Sequence, residues 1–232
     1  MKMIVFIVEG DSESEFVKRI LTPFLNSFQI FDVLPIKITK KGGGHGVDNI
    51  EHFKNTIRPI LSYNNEPVIT TFIDHYGLNS QKKLPGYDEC VKKPIALRLE
   101  MMENKLDEVV QSIKPYRFFV PYIQQHEFET LLFANPEQGF DLEDEKIKEE
   151  IISLCNSVES IENINDTPQG APSVRLNEIF ARFGKKYQKG VEGMYIAELT
   201  TIEKMFEKCP RFYKWIRQLI NICQQDGTAG MN

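Results

Sequence analysis

Two acidic side chains stand where apolar runs stop. Glu9 follows the run from Met3 to Val8 (MIVFIV), and Asp74 closes the run from Pro67 (PVITTFID). Runs of this kind read as strands buried on both faces, and a carboxylate at the end of one has no structural need to be there. Glu13 lies four residues after Glu9, across the turn into a helix, so it is placed to point back over the same position. Carboxylates sharing a site without cysteine suit Mg²⁺ or Mn²⁺ rather than zinc, and the chemistry that follows is metal-assisted attack on a phosphoryl ester. For Glu13 or Glu15 taken singly, a favourable place in the first turn of a helix is an equally good account.

Other candidates lie nearby in the sequence. Gly42 to Gly46, with Gly43, Gly44 and His45, can cradle a phosphate ahead of a helix, although the segment lacks the P-loop spacing and reads equally as a turn. His126-Glu127-Phe128-Glu129 begins like a zinc-protease HExxH, but Thr130 occupies the place of the second histidine and excludes that class. If a helix starts near His126, His126 and Glu129 share one face, and Glu127 or Glu129 can face the chemistry. His126 itself reads as an orienting or structural group. The densest basic run, Arg182 to Lys189, is ordinarily a solvated face and is here the best candidate to meet phosphates.

These residues need a scaffold that gathers strand ends. Strands are expected at 3–8, within 31–38, at 67–74 and at 116–123, where Pro121 suggests an edge position or a bulge. Between them, Ser12 with Glu15 reads as a capping box before Phe16, Ile20, Phe24 and Phe28. Helical spacing recurs over 47–61 and 94–113. Alternation of this kind predicts an α/β fold with a mainly parallel sheet of about four strands, helices on both faces and ligands beyond the carboxyl ends of the strands. From Phe140 onward the strand signal disappears. Helices are expected at 143–155, 173–183, 201–208 and 210–222, ahead of a frayed tail from Gln224. The domains are therefore placed at 1–139, the α/β core, and 140–232, a helical region packed on it.

Composition narrows the function classes. The 232 residues carry 28 basic and 33 acidic side chains, a formal charge of -5, and 41% are hydrophobic, as in a soluble globular protein. No stretch has the ~20 apolar residues needed to cross a bilayer, and acids follow the first apolar run directly, so a cytoplasmic location is expected. The four cysteines form no CxxC pair and no zinc spacing, so they read as reduced thiols. An acidic chain reaches nucleic acid only through a local basic patch, metal ions or a partner.

Taken in order, VEGDSE at the start, DHYGL at 74–78, IQQHEFETLLF at 123–133, PSVRL at 172–176, YQKGVEG at 187–193 and CPRFYKW at 209–215 resemble a bacterial family known as domain-of-unknown-function family 4276. The resemblance spans nearly the whole chain. That family is similar to the TOPRIM domain of topoisomerases, primases and OLD-family nucleases, which implies a TOPRIM-like core and a divalent metal. By this resemblance Glu9 matches the TOPRIM glutamate and Glu13 the second acid of OLD-type nucleases. Asp74 matches the first aspartate of the DxD motif, and Lys189 the lysine brought to the scissile phosphate, with Arg175 assisting. Tyr76 stands where the second aspartate belongs, which puts a two-metal site in doubt and leaves Glu127 or Glu129 to replace the missing ligand. The resemblance implies a Mg²⁺- or Mn²⁺-dependent nuclease acting transiently on DNA or RNA, similar to effectors of bacterial phage-defence modules that pair with an ABC- or SMC-type ATPase. Two rivals stand beside it: a degenerate, non-cleaving TOPRIM fold that binds a nucleotide or partner, and a receiver-like phosphoacceptor. The last fits poorly, because Gly10 interrupts the acidic pair after the first strand.

Overall fold

A computed structural model describes residues 2–40, 43–47, 49–76, 78, 84–164 and 170–228, with backbone alone for 226–228. Gly42, named above as part of a glycine turn, lies outside the described residues. The chain divides into two compact units, 1–124 with 216–232, and 125–215. The division falls at Gln124 and not at the expected 139/140. Its physical reason is that strand pairing ends at Gln124, and the segment after it folds with the helices that follow.

The first unit is built on a wholly parallel sheet. β1 (Ile4–Val8) pairs with β2 (Val33–Lys37) on one side and β3 (Val68–Asp74) on the other; β4 (Phe119–Val120) and β5 (Ile123–Gln124) both pair with β3. β1 and β3 are buried along their whole lengths, as expected of apolar runs at the centre of a sheet, whereas β2 at the edge is only partly covered. The single strand expected at 116–123 is two. Pro121 has no N–H for the ladder, and Thr71 spans the break: its hydroxyl accepts from Tyr122 N at 2.7 Å and lies 2.8 Å from Tyr122 O.

Helices cover both faces of the sheet. α1 (Asp11–Phe16), a π-helical turn (Val17–Leu21) and α2 (Thr22–Asn26) run on without a break, and Phe16 packs on Phe72 of β3. From the other face α3 (Ile50–Ile60) sets Phe53 against Phe119, which pairs with Ile69, and side chains at 69 and 72 alternate across the sheet. After the short α4 (Tyr87–Cys90), α5 (Ile95–Ile113) buries Leu99, Met102, Leu106 and Val110, a stripe at helical spacing. Two local expectations change. The first helix is capped at Gly10, whose N–H donates to Glu13 Oε2 at 2.8 Å; the Ser12–Glu15 box does not form, and Glu15 pairs instead with Lys18 at the surface.

The second unit holds no strand among its described residues. It comprises a 3-10 turn (Phe128–Ala134), α6 (Pro136–Gly139), α7 (Glu145–Asn156), a short 3-10 turn (Ile161–Asn163), α8 (Pro172–Arg182), α9 (Val191–Thr200) and α10 (Ile202–Lys208). α11 (Pro210–Thr228) then returns the chain to the first unit, and its helical backbone continues to Thr228, past the Gln224 at which fraying was expected to begin. The helix expected to begin near His126 does not: His126 has φ of 64°, Glu127 is extended, and the turn that starts at Phe128 is 3-10, with all seven residues buried.

Candidate functional site

β1 and β3 are neighbours in register, Val8 opposite Phe72. Glu9 is the first residue past β1 and Asp74 is the last of β3, so both stand at the carboxyl rim of the parallel sheet, where ligands of such folds are received. Asp74 is 8% exposed and Glu13 4%, so neither is a freely solvated surface acid. Glu13 spends one oxygen on Gly10 N, which fixes the turn that carries Glu9. Asp11, the first residue of α1, is held by Lys37 of β2 at 2.7 Å, and that hydrogen-bonded ammonium keeps its carboxyl below the ordinary range.

The glycine segment is a tight turn beside the same rim. Thr39 bridges antiparallel to His45, Gly43 N donates to Lys40 O at 3.1 Å, Lys40 N to Gly44 O at 3.1 Å, and Gly46 N to Ile38 O at 3.0 Å. Gly43, Gly44 and Gly46 have φ of 103°, 82° and 121°, so glycine is required for the path of the chain, and the amides of Gly43 and Gly46 are engaged within it. His45 acts electrostatically on Asp11.

Among the described residues no three His, Cys, Asp or Glu side chains gather into a group able to hold a metal. A closed protein cage is therefore not built by them. Mg²⁺ keeps several waters and takes one or two carboxylates; the hard oxygens of Glu9 and Asp74 suit an ion of that kind.

The remaining predicted site residues fall in the second unit, where sequence motifs converge on Glu129. This carboxylate is completely buried, and Lys189 Nζ lies 3.1 Å from its Oε2. Burial pushes its pKa up to about 7, against the pull of Lys189 and with a further push from Glu127. Tyr187, 3% exposed, is the next member: Glu129 acts on it electrostatically, and burial raises its phenol well above the ordinary value. Gly193 makes room for it, since a Cβ there would stand 2.8 Å from Tyr187 Oη. Glu127 has a different task, accepting from Ser173 N at 2.9 Å at the start of α8. Likewise Glu162 accepts from Arg211 N at 3.0 Å at the start of α11. Arg175 donates to Gly170 O at 2.8 Å.

The basic run is largely neutralised within its own unit. Arg182 pairs with Glu150 at 2.7 Å, Lys185 with Glu143 at 3.3 Å and Lys189 with Glu129. Residues that sequence reasoning passed over are Lys40, at the turn beside Glu9, and Tyr187, at Glu129. The signals for them were the lysine pair after the second strand and the first letter of the YQKGVEG motif. All four cysteines are free thiols; burial raises Cys155 to about 12, and Cys209 is raised as well. No described helix is long and apolar enough to cross a membrane.

A parallel α/β sheet with acids at its carboxyl rim, joined to a unit whose described elements are helices and 3-10 turns, is the class of protein that the structure defines. The chain belongs to the family described as Domain of unknown function (DUF4276), whose sequence model matches residues 8–220. Among solved structures it is similar to the C-terminal region of the Xanthomonas campestris pv. campestris OLD protein. The mercury-phased form is 16% identical with a TM-score of 0.43, covering 97% of this chain and 98% of that one. The iodine-phased form is 18% identical with a TM-score of 0.41, again with 97% and 98% covered. The platinum-phased form is 16% identical with a TM-score of 0.40, covering 97% of each. At these values the likeness assigns no residue a role. No curated protein matches the chain.

Proposed function

We propose that the protein is a Mg²⁺- or Mn²⁺-dependent enzyme acting on phosphodiester bonds, a nuclease, with Glu9 and Asp74 holding the ion. The observation that carries this reading is the placement of both carboxylates at the rim of adjacent central strands. The ion, when bound, polarises the phosphate and lowers the pKa of an attacking water. Glu13 positions Glu9 through Gly10 N and is a positioning residue. The reading asks no chemistry of Glu127, Glu129 or Lys189, which have structural partners of their own. Transient DNA or RNA as substrate, and an ABC- or SMC-type ATPase that presents it, belong to the same proposal.

The test is cleavage of supercoiled plasmid and structured RNA with Mg²⁺, Mn²⁺ or EDTA. Divalent-dependent cleavage that disappears in both Glu9→Gln and Asp74→Asn is the expected result; cleavage that survives both changes overturns the assignment. A second reading, a non-cleaving fold that binds a nucleotide or partner, draws on Tyr76 at the place of a second aspartate and on the lack of a three-ligand group among the described residues. It predicts no cleavage under any metal.

A further inference from the structure

What stands beside Glu9 within the protein itself is a lysine. Pairing of β1 with the edge strand continues one step past Lys37, with Ile38 N donating to Val8 O at 2.9 Å. The chain then doubles back through the Thr39–His45 bridge and delivers Gly46 to the end of β1. A Cβ on Gly46 would lie 3.1 Å from Lys40 Cε, 3.4 Å from Lys40 Nζ and 3.6 Å from Glu9 Oε1. The ammonium and the carboxylate thus close over one bare α-carbon, in a backbone conformation that side chains other than glycine rarely take. Glu9 Oε2 is shielded from solvent, and a shielded carboxylate favours a nearby positive charge. The neighbouring ammonium, Lys37, is committed to Asp11.

We propose that Lys40 is the resident counter-cation of Glu9 and a positioning residue of the rim. It holds the carboxylate in the metal-free protein, yields that oxygen to a divalent ion, and keeps a second positive charge beside the ion. In phosphoryl transfer, catalysis is largely positioning and the neutralising of charge on the phosphoryl oxygens. The two strand-end carboxylates, Glu9 and Asp74, suit one ion, and Lys40 supplies the charge that a second ion would bring. This proposal rests on the nuclease reading.

Two measurements on the full chain test it. In the metal-free protein, the side-chain ¹⁵N resonance of Lys40, assigned with Lys40→Gln, is expected to shift in Glu9→Gln, and to shift in the wild type when Mg²⁺ is added. Gly46→Ala keeps both charges but sets a methyl group against each of them, and is expected to move the resonance in the same sense as Glu9→Gln. Mn²⁺ binding, followed by water-proton relaxation, is expected to tighten about threefold to tenfold in Lys40→Gln, as loss of an ammonium within a few ångströms implies, and to be lost in Glu9→Gln. A Lys40 resonance indifferent to Glu9→Gln overturns the proposal, as does Mn²⁺ affinity unchanged by Lys40→Gln. Wild-type protein that binds no Mn²⁺ overturns the nuclease reading itself and this proposal with it. That outcome is told apart from failure of the proposal alone, which leaves Glu9-dependent Mn²⁺ binding in place.

Discussion

The carboxylates of the two units are used differently. In the first unit Glu9 and Asp74 sit at a sheet rim, and the ammonium groups near the acids, Lys37 and Lys40, come from the adjacent edge strand and its turn. In the second unit these acids are consumed by the fold: Glu127 and Glu162 satisfy amides at the starts of α8 and α11, and Glu129 is sealed in the interior against Lys189. Helix starts leave N–H groups without intrahelical partners, and a carboxylate there is worth having for stability alone. A motif rich in acids is therefore no guide to chemistry until its hydrogen bonds are traced. The contrast predicts that substitutions in the second unit move stability, and substitutions at the rim move activity.

The largest effect is expected at Glu129. Its folded pKa of about 7 lies above the ordinary carboxylate value of 4.5, so between these pH values the folded state holds more protons than the unfolded state. Stability therefore falls as pH rises from 4.5 through 7. For a shift of this size the loss is about 3 kcal/mol. Glu129→Gln removes the ionisation, so urea unfolding of the variant is expected to lack this downward slope. An equal slope in both proteins would show that the Lys189 pair holds the carboxylate ionised throughout.

A smaller effect tests the packing of the same cluster. Gly193→Ala drives a methyl group to 2.8 Å from Tyr187 Oη and is expected to destabilise by about 1–3 kcal/mol. Tyr187→Phe removes the atom that is struck, so the double variant is expected to recover most of that loss in a denaturation cycle. Additive losses would mean that the helix backbone of α9, and not the phenol, sets the need for glycine.

How far the sequence could lead is clear from particular elements. β1 and β3 were legible because a continuous apolar run ended by an acid is what a doubly buried strand with a polar rim looks like, and the same signal put Glu9 and Asp74 at the strand ends. Pro121 marked the break between β4 and β5, but the repair by Thr71 is a contact across fifty residues that no local pattern carries. The turn at Phe128–Ala134 escaped for the opposite reason. All seven residues are buried, so no exposed face gives the segment a period. α9 is similar, with Gly193, Met194, Ile196, Ala197 and Thr200 buried around much of its circumference. The pairing of Glu129 with Lys189, and the approach of Lys40 to Glu9, are set by tertiary folding; the residue types were visible and their partners were not.

The smallest expected change in stability sharpens the contrast between the units. Glu127→Ala removes the acceptor for Ser173 N at the start of α8 and is expected to cost about 1 kcal/mol, a usual value for a lost N-terminal cap. At the rim, Glu9→Gln keeps the shape of the side chain and an oxygen acceptor while removing the charge. Its stability is expected to stay within about 0.5 kcal/mol of wild type, as for substitutions outside the core and caps. Thermal unfolding of the two variants in parallel decides the matter. If Glu9→Gln were the more destabilising, Glu9 with Lys40 would be part of what holds the loop to β1, and the rim would belong with the structural carboxylates of the second unit. If Glu127→Ala is the costlier and only Glu9→Gln abolishes divalent-dependent activity, the two units divide the labour as their hydrogen bonds suggest.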